Sequence, residues 1–384
     1  MLWRLISLLM LAAFKPKLTL KTAYRMALLA LMALAGCAAC SKEGLSTPEE
    51  GTGEDLWTPL TGDKPVAFAT SIAGAETKAT TPLPTGTNFC VFAFYQPGVV
   101  SDDPLEDKTG TWNDLSVEQW TPNFMYDQEV TYNSTLSRWT YSPVKYWPNN
   151  AENTLTFWAY CPQYDDDAVL HLRKTNSPDP YGNTIPGIPE IQFTTDGSRD
   201  LLVSDIAQDQ SYRGGNPADG VVPLLFHHKM CWVDFRVRKN DPLDRYNIVL
   251  ESIDLRNLRT TGVLRSGGWG SGWGSGNIDV FSGSAAMDKT TYANYPSSGQ
   301  ILPLPQLLKG TSATLRVVYT FGLAGSGDSP VEYVNEVPLG DLHDFWEMEK
   351  HYTYTINISA GSPILFTATV EAWGSEQNGF FTVN

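Results

Sequence analysis

The chain has 384 residues, in which 42 Asp+Glu outnumber 27 Lys+Arg and give a formal net charge of −15. That balance argues against a nucleic-acid or anionic-membrane binder, since both need basic patches. Twelve Trp, 17 Tyr and 16 Phe, with 32 Gly and 25 Pro, suit strands and turns rather than long helices.

In chain order, Lys15, Lys17, Lys21 and Arg25 precede the apolar run Met26–Gly36. This is the arrangement of a secretory signal, and the run is too short to span a bilayer. An extra apolar patch, Leu5–Phe14, fits a start at Met10 or later. The run closes on Leu34-Ala35-Gly36-Cys37, the recognition sequence for lipid attachment in bacterial signal peptides. Residues 1–36 are therefore expected to be a lipoprotein signal, and Cys37 the lipid-bearing N-terminus of an exported protein. Cys40, with Cys37 at its −3 position, fits the pattern less well. The competing reading is an ordinary cleaved signal with incidental cysteines. Removing 1–36 takes away five basic residues and no acidic ones, leaving 22 Lys+Arg against 42 Asp+Glu. Residues 37–61 are small, polar and acidic and read as a flexible tether.

From Val66 onward, strand-like runs alternate with turn clusters: Val66–Ile72, Asn88–Tyr95, Leu155–Tyr160, Trp232–Arg238, Ile248–Leu255, Leu315–Phe321, Tyr352–Ile358 and Ile364–Glu371. Strands at this density with Pro/Gly punctuation predict an all-β chain of antiparallel β-sandwiches. The Ile301–Leu308 run is interrupted by two prolines and is not expected to be helical. The loop Arg213–Gly220 suggests a boundary that divides the body into residues 62–222 and 223–384, each the size of one sandwich.

Signals of catalysis are weak, and no cofactor-binding motif is present. Cys90, Cys161 and Cys231 each sit in an apolar stretch, which suits buried thiols better than a disulfide framework. Of the adjacent His227 and His228, a strand sends one to the core and one to solvent, so the two cannot share a metal. His343, Glu347 and His351 have the four-residue spacing of a helical zinc face, but His351 opens an alternating strand, and a structural role is expected. Asp165-Asp166-Asp167 reads as a solvated acidic loop. The stretch Gly267–Gly276 lacks the Lys and Ser/Thr of a phosphate loop. Its Trp269 and Trp273 either fold back onto the sandwich or stand as a platform for a sugar ring or a protein partner.

Several segments together resemble the fimbrillin family of Mfa-like type V pilus subunits, surface lipoproteins of gut and oral bacteria. They are Val66–Ile72 followed by Glu76–Thr80, Tyr141–Pro148 followed by Leu155–Tyr160, Asp200–Ser204, Leu225–Met230 and Ile364–Trp373. The resemblance implies two consecutive transthyretin-like antiparallel β-sandwich domains behind the signal peptide and tether. It also implies an outer-membrane, surface-exposed fimbrial subunit or adhesin, held by lipid at Cys37 and joined head-to-tail to like or unlike subunits.

Assembly in such a family proceeds by strand exchange: a trypsin-like protease frees the first strand, and a strand of the next subunit fills the open groove. Mapped here, Val66, Phe68 and Ile72 fill the groove, and Lys78–Ala79 is the bond to be cut. No arginine lies between Cys37 and Arg138, so an arginine-specific protease has no site there. Lys78 is otherwise a solvated turn lysine. The terminal Phe380-Phe381-Thr382-Val383-Asn384 is the candidate donor, with Phe380, Phe381 and Val383 as its anchors, or else an edge strand of its own domain. The alternative function is a monomeric surface lipoprotein that binds a host or microbial glycan through Trp269 and Trp273.

Overall fold

The structure is a computed structural model that describes residues 61–74, 80–98, 122–163, 170–173, 190–265, 268–270, 274–297, 299–360 and 364–373. The first half supplies β1 (Thr61–Pro65), β2 (Ala67–Ala73), β3 (Thr80–Thr81), β4 (Phe89–Gln96), β5 (Met125–Asn133), β6 (Arg138–Thr140), β7 (Tyr146–Pro148) and β8 (Thr154–Cys161). It continues with β9 (Leu170–Arg173), β10 (Glu190–Thr194), β11 (Leu202–Ser204), β12 (Ala207–Gln210) and β13 (Val221–His228). The second half supplies β14 (Trp232–Lys239), β15 (Tyr246–Leu258), β16 (Thr261–Arg265), β17 (Gly268–Trp269), β18 (Gly276–Ala286), β19 (Ala293–Tyr295) and β20 (Gln306–Leu307). After these come β21 (Thr314–Leu323), β22 (Val331–Pro338), a single 3-10 turn (Leu339–Asp341), β23 (Phe345–Trp346), β24 (Lys350–Ile358) and β25 (Leu365–Ala372). Among the described residues there is no α-helix, as the composition predicts.

Three apolar clusters organise these strands. The first lies inside a nine-stranded sheet of order β3-β2-β13-β11-β8-β4-β5-β6, with β12 also on β8. A second sits between two four-stranded sheets, β19-β14-β24-β25 and β18-β15-β21-β22, and this half is a β-sandwich. The third lies between them, under the sheet β17-β16-β10-β9.

Residue pattern explains who faces what. In β14, Val233, Phe235 and Val237 are fully buried, while Asp234 and Arg236 point the other way; β24 repeats this with Tyr352, Tyr354, Ile356 and Ile358. That period of two is the pleat of a strand with one covered face. By contrast, β4 (FCVFAFYQ) is buried at every position. Its Phe89, Val91, Ala93 and Tyr95 enter the first cluster and its Cys90, Phe92 and Phe94 the middle one. A continuous apolar run is what a strand covered on both faces requires.

The structure refines the sequence reading at three points. The sheets are antiparallel except for β2 on β13 and β14 on β24, which run parallel. In each half the strand that opens a core lies beside one of the last strands of that core, so the chain must return across the sheet rather than turn in a hairpin. The expected break at 222/223 falls inside β13, whose Val222, Leu224 and Phe226 fill the first cluster; the chain passes on to β14 through Lys229–Cys231. The halves also share a sheet, since β10 pairs with β16 from Ile191↔Leu264 to Thr194↔Thr261. Finally, Val66 lies between β1 and β2 rather than in the strand, its N–H donating to the Lys145 carbonyl at 2.9 Å.

The middle cluster joins the two halves through aromatic stacks. His228 on β13 accepts or donates to Asp200 at 2.6 Å and lies flat on Trp373 at 4.0 Å. His351 on β24 meets Asp234 at 2.8 Å and lies flat on Trp232 at 3.9 Å. Phe92 sits in the same cluster, 5.5 Å from Trp158 and 5.2 Å from Tyr126 between ring centres. Phe92→Ala should lower unfolding free energy by ~3–5 kcal/mol, read from urea denaturation, because a rigid β4 cannot collapse into the space left.

Candidate functional site: the seat of the first strand

The residues singled out for groove filling come together around β2. Along Ala67–Ile72 the strand has six parallel register pairs with Val221–Phe226 of β13. On its other edge β3 reaches only Ile72 and Ala73. Among the described residues, Ala67–Ser71 thus have a strand on one side alone, although β2 fills a core.

Its inner face carries the anchors. Phe68 and Ile72, four residues apart, point the same way, as a pleat demands, and are 6% exposed each; Val66 is 3% exposed. The Phe68 ring meets Phe89 at 6.1 Å and Phe157 at 5.9 Å, both edge-on, and Tyr141 at 5.7 Å. Burying side chains of this size contributes roughly 1.5–3 kcal/mol each. Val66, Phe68 and Ile72 all belong to the first cluster with Val222, Leu224 and Phe226 of β13, so removing β2 uncovers a row of apolar side chains and one free backbone edge together.

Polar contacts hold the segment that leads into β2. The Tyr141 hydroxyl donates to the Val66 carbonyl at 2.9 Å, and burial pushes its phenol up to about 12. The Trp147 indole donates to the Gly220 carbonyl at 3.0 Å. Gly220 has φ +73°, so the turn into β13 favours glycine for its backbone. Arg213 and Asp63 add an exposed ion pair at 2.8 Å, worth little by itself.

Of the other residues read from sequence, Cys37, Lys78, Ala79, Asp165–Asp167, Trp273, Phe380, Phe381 and Val383 lie outside the described residues. Trp269 forms β17 opposite Leu264. Its indole N–H donates to the Lys229 carbonyl, and its ring meets Phe193 at 6.3 Å. The remaining edge lines an open cavity of ≈ 560 Å³ with Leu307, Phe345, Trp346, Glu347 and Lys350. Cys90, Cys161 and Cys231 are buried free thiols, and burial holds each well above the usual thiol range. His228 is buried, while His227, on the opposite face, meets Asp205 at 3.2 Å and Glu349 at 3.3 Å. His343 packs edge-on against Tyr352 and burial lowers its pKa; no helix joins it to His351. Among the described residues no three His, Cys, Asp or Glu are grouped to hold a metal.

Sequence reasoning missed Tyr141, Trp147 and Gly220 as holders of the first strand. Their partners are backbone carbonyls far away in the chain, which no local pattern signals.

The sequence pattern of the fimbrillin-like family matches residues 99–373. No curated protein matches the chain. Among solved structures, a fimbrial protein from Bacteroides vulgatus is 18% identical, covers 80% of this chain and 99% of its own, and has a TM-score of 0.59. A candidate cell adhesion protein from Bacteroides ovatus is 14% identical over 82% of this chain and 99% of its own, with a TM-score of 0.47. The fimbrial anchor protein Mfa2 from Porphyromonas gingivalis is 10% identical over 81% and 98%, with a TM-score of 0.33. At these identities the first of the three shows a shared fold.

Replacing Tyr141 by Phe removes the hydrogen bond to Val66 and should cost ~0.5–1.5 kcal/mol at neutral pH. A raised phenol pKa means that the folded chain holds this proton more tightly than the unfolded one. The contribution is complete below pH ~10 and is lost as pH rises toward the folded value. The stability gap between parent and variant should therefore shrink from pH ~10 upward, as measured by urea denaturation across that range.

Proposed function

The chain belongs to the fimbrillin-like family, and from that premise we propose that it is a fimbrial subunit or fimbria-associated adhesin that assembles by strand exchange. The observation that carries this reading is β2: over most of its length it is held by one parallel ladder, yet it supplies Phe68 and Ile72 to the first core. A strand so placed can leave in one piece, and what it leaves is a groove with alternate pockets and an unsatisfied backbone edge. A donor strand of matching pattern satisfies both at once.

The chain chemistry supports a cut between β2 and β3. Lys78–Ala79 lies in that connection, whereas Lys64 is followed by Pro65, which protects the bond from trypsin-like enzymes. Cleavage after Lys78 releases β1 with β2 and leaves β3 on the body. In this reading Cys37 carries the lipid that holds the precursor at the outer membrane, residues 37–61 tether it, and the two halves act as two sandwich domains. The terminal Phe380–Val383 segment of one copy then fills the groove vacated by β2 in the next, with Phe381 and Val383 on one face and Phe380 on the other. Because donor and groove are different surfaces, the association is head-to-tail and forms an open filament.

Limited trypsin treatment of the purified lipoprotein should give a stable product beginning at Ala79, together with SDS-resistant ladders on gels of unheated samples. Lys78→Gln should abolish both, and a synthetic peptide spanning Thr61–Ala73 added in excess should cap the groove and suppress the ladders. A chain that is cut at Ala79 and stays monomeric, or ladders indifferent to the peptide, would sink the strand-exchange reading.

A further inference from the structure

On a chain with 42 carboxylates and 27 basic side chains, cations are expected to find acidic partners, and several do. Lys239 and Lys289 meet Asp244, Lys309 meets Asp344, and Arg316 meets Asp254. Arg236 and Arg238 do not. They stand two residues apart on β14, on the face turned away from the core, so their guanidinium groups emerge side by side. Among the described residues, neither has a carboxylate within ion-pair distance.

An aromatic ring and an amide position them instead. Tyr292 lies over both, with its ring centre 5.0 Å from the Arg236 guanidinium and 4.4 Å from that of Arg238. Arg238 Nε–H donates to Asn357 Oδ1 at 2.7 Å, and the Tyr292 hydroxyl reaches the same oxygen at 3.3 Å. Among the described residues, this leaves the Asn357 amide nitrogen and the outer N–H groups of both arginines without a hydrogen-bond partner. Asn294 and Thr355 flank Arg236 in register on β19 and β24. The nearest acid on this face of β14, Asp234, has its Oδ2 2.8 Å from His351 Nε2, and Glu371 lies beyond it on β25, opposite His351.

We propose that this outer face of the β19–β14–β24 sheet is a binding site for an anionic saccharide, a sugar bearing a carboxylate or sulfate group. Two adjacent guanidinium groups held by cation–π contacts match the planar oxygens of such an anion bidentately. The tyrosine ring and the side-chain amides and hydroxyl around them suit a hydroxyl-rich ring lying flat. A peptide strand is the poorer match, because β14 is paired on both sides and offers no backbone edge here. The site lies in the second half of the chain, away from the seat of β2, and binding there does not depend on strand exchange.

The test is isothermal titration calorimetry of the purified chain with sialyllactose and with a chondroitin sulfate hexasaccharide, using neutral lactose as control, at low and at moderate salt. At least one acidic sugar should bind, lactose should not, and added salt should weaken the binding. The double variant Arg236→Gln/Arg238→Gln should lose about tenfold or more in affinity, and the double Lys variant most of that, since Lys keeps the charge but not the planar fork. Both arginines are on the surface, so the variants should keep the parent's melting temperature and form ladders after trypsin as the parent does. Acidic sugars that bind no better than lactose, or a Gln variant that binds as well as the parent, would overturn the proposal. It would also be overturned if the Gln variant failed to form ladders while no sugar bound the parent, since the patch would then be a contact between subunits.

Discussion

Two strands that run in the same direction cannot be joined by a tight turn, and this constraint governs the first half of the molecule. The chain lays down β2 at its start, builds the rest of the sheet, and must come back to place β13 beside it. The core is closed only when that pairing forms, because Phe68 and Ile72 supply its last apolar faces. The strand β2 joins its neighbours by six pairs to β13, two to β3 and a few aromatic contacts, and the Tyr141 hydrogen bond holds Val66 just before it. These are also the contacts that a strand of matching pattern would reproduce, so in the proposed exchange the side chains that stabilise the first half would also be the ones a substitute strand replaces.

The second half uses the same device differently. There β14 is likewise first and parallel to a late strand, β24, but β19 pairs on its other edge and β25 lies beyond β24. Its eight register pairs with β24 are interior to the sheet, so β14, unlike β2, cannot leave without breaking a ladder on each side. The middle cluster fixes the halves to each other. β4 and β8 offer it their second faces, and Trp373, at the end of the last described strand, rests on His228 of the first half.

Much of the strand content was legible because apolar pattern is local. The run Asn88–Tyr95 announces a strand with two covered faces, and the alternation in Trp232–Arg238 and Tyr352–Ile358 announces strands with one. Strand direction was not legible: hydrophobic period is the same for parallel and antiparallel neighbours, and only the long return of the chain decides between them. The strand Val331–Pro338 escaped notice because Glu332, Asn335 and Glu336 interrupt its apolar residues, and as an exposed edge it leaves Val331, Tyr333 and Val334 uncovered rather than in a core. At the seat of β2, Phe68 and Ile72 could be named from their spacing and from the family resemblance. Tyr141, Trp147 and Gly220 could not, since their task is to pair with backbone groups across the fold and, for Gly220, to adopt a left-handed turn. The arginine pair was hidden for a similar reason. Two basic residues in an acidic chain look paired until the structure shows a tyrosine where a carboxylate was expected.

The parallel ladders also decide how the molecule carries load. A pull on the chain ends draws β2 by its N-terminal end and β13 by its C-terminal end, and it treats β14 and β24 in the same way. Parallel strands drawn in opposite directions slide along each other, so all rungs of the ladder resist together, whereas a hairpin pulled at its two free ends opens one rung at a time. Tension applied along the uncut chain thus meets six rungs in the first half and eight in the second, each set acting in concert, and in a chain cut after Lys78 only the second of these mechanical clamps would remain.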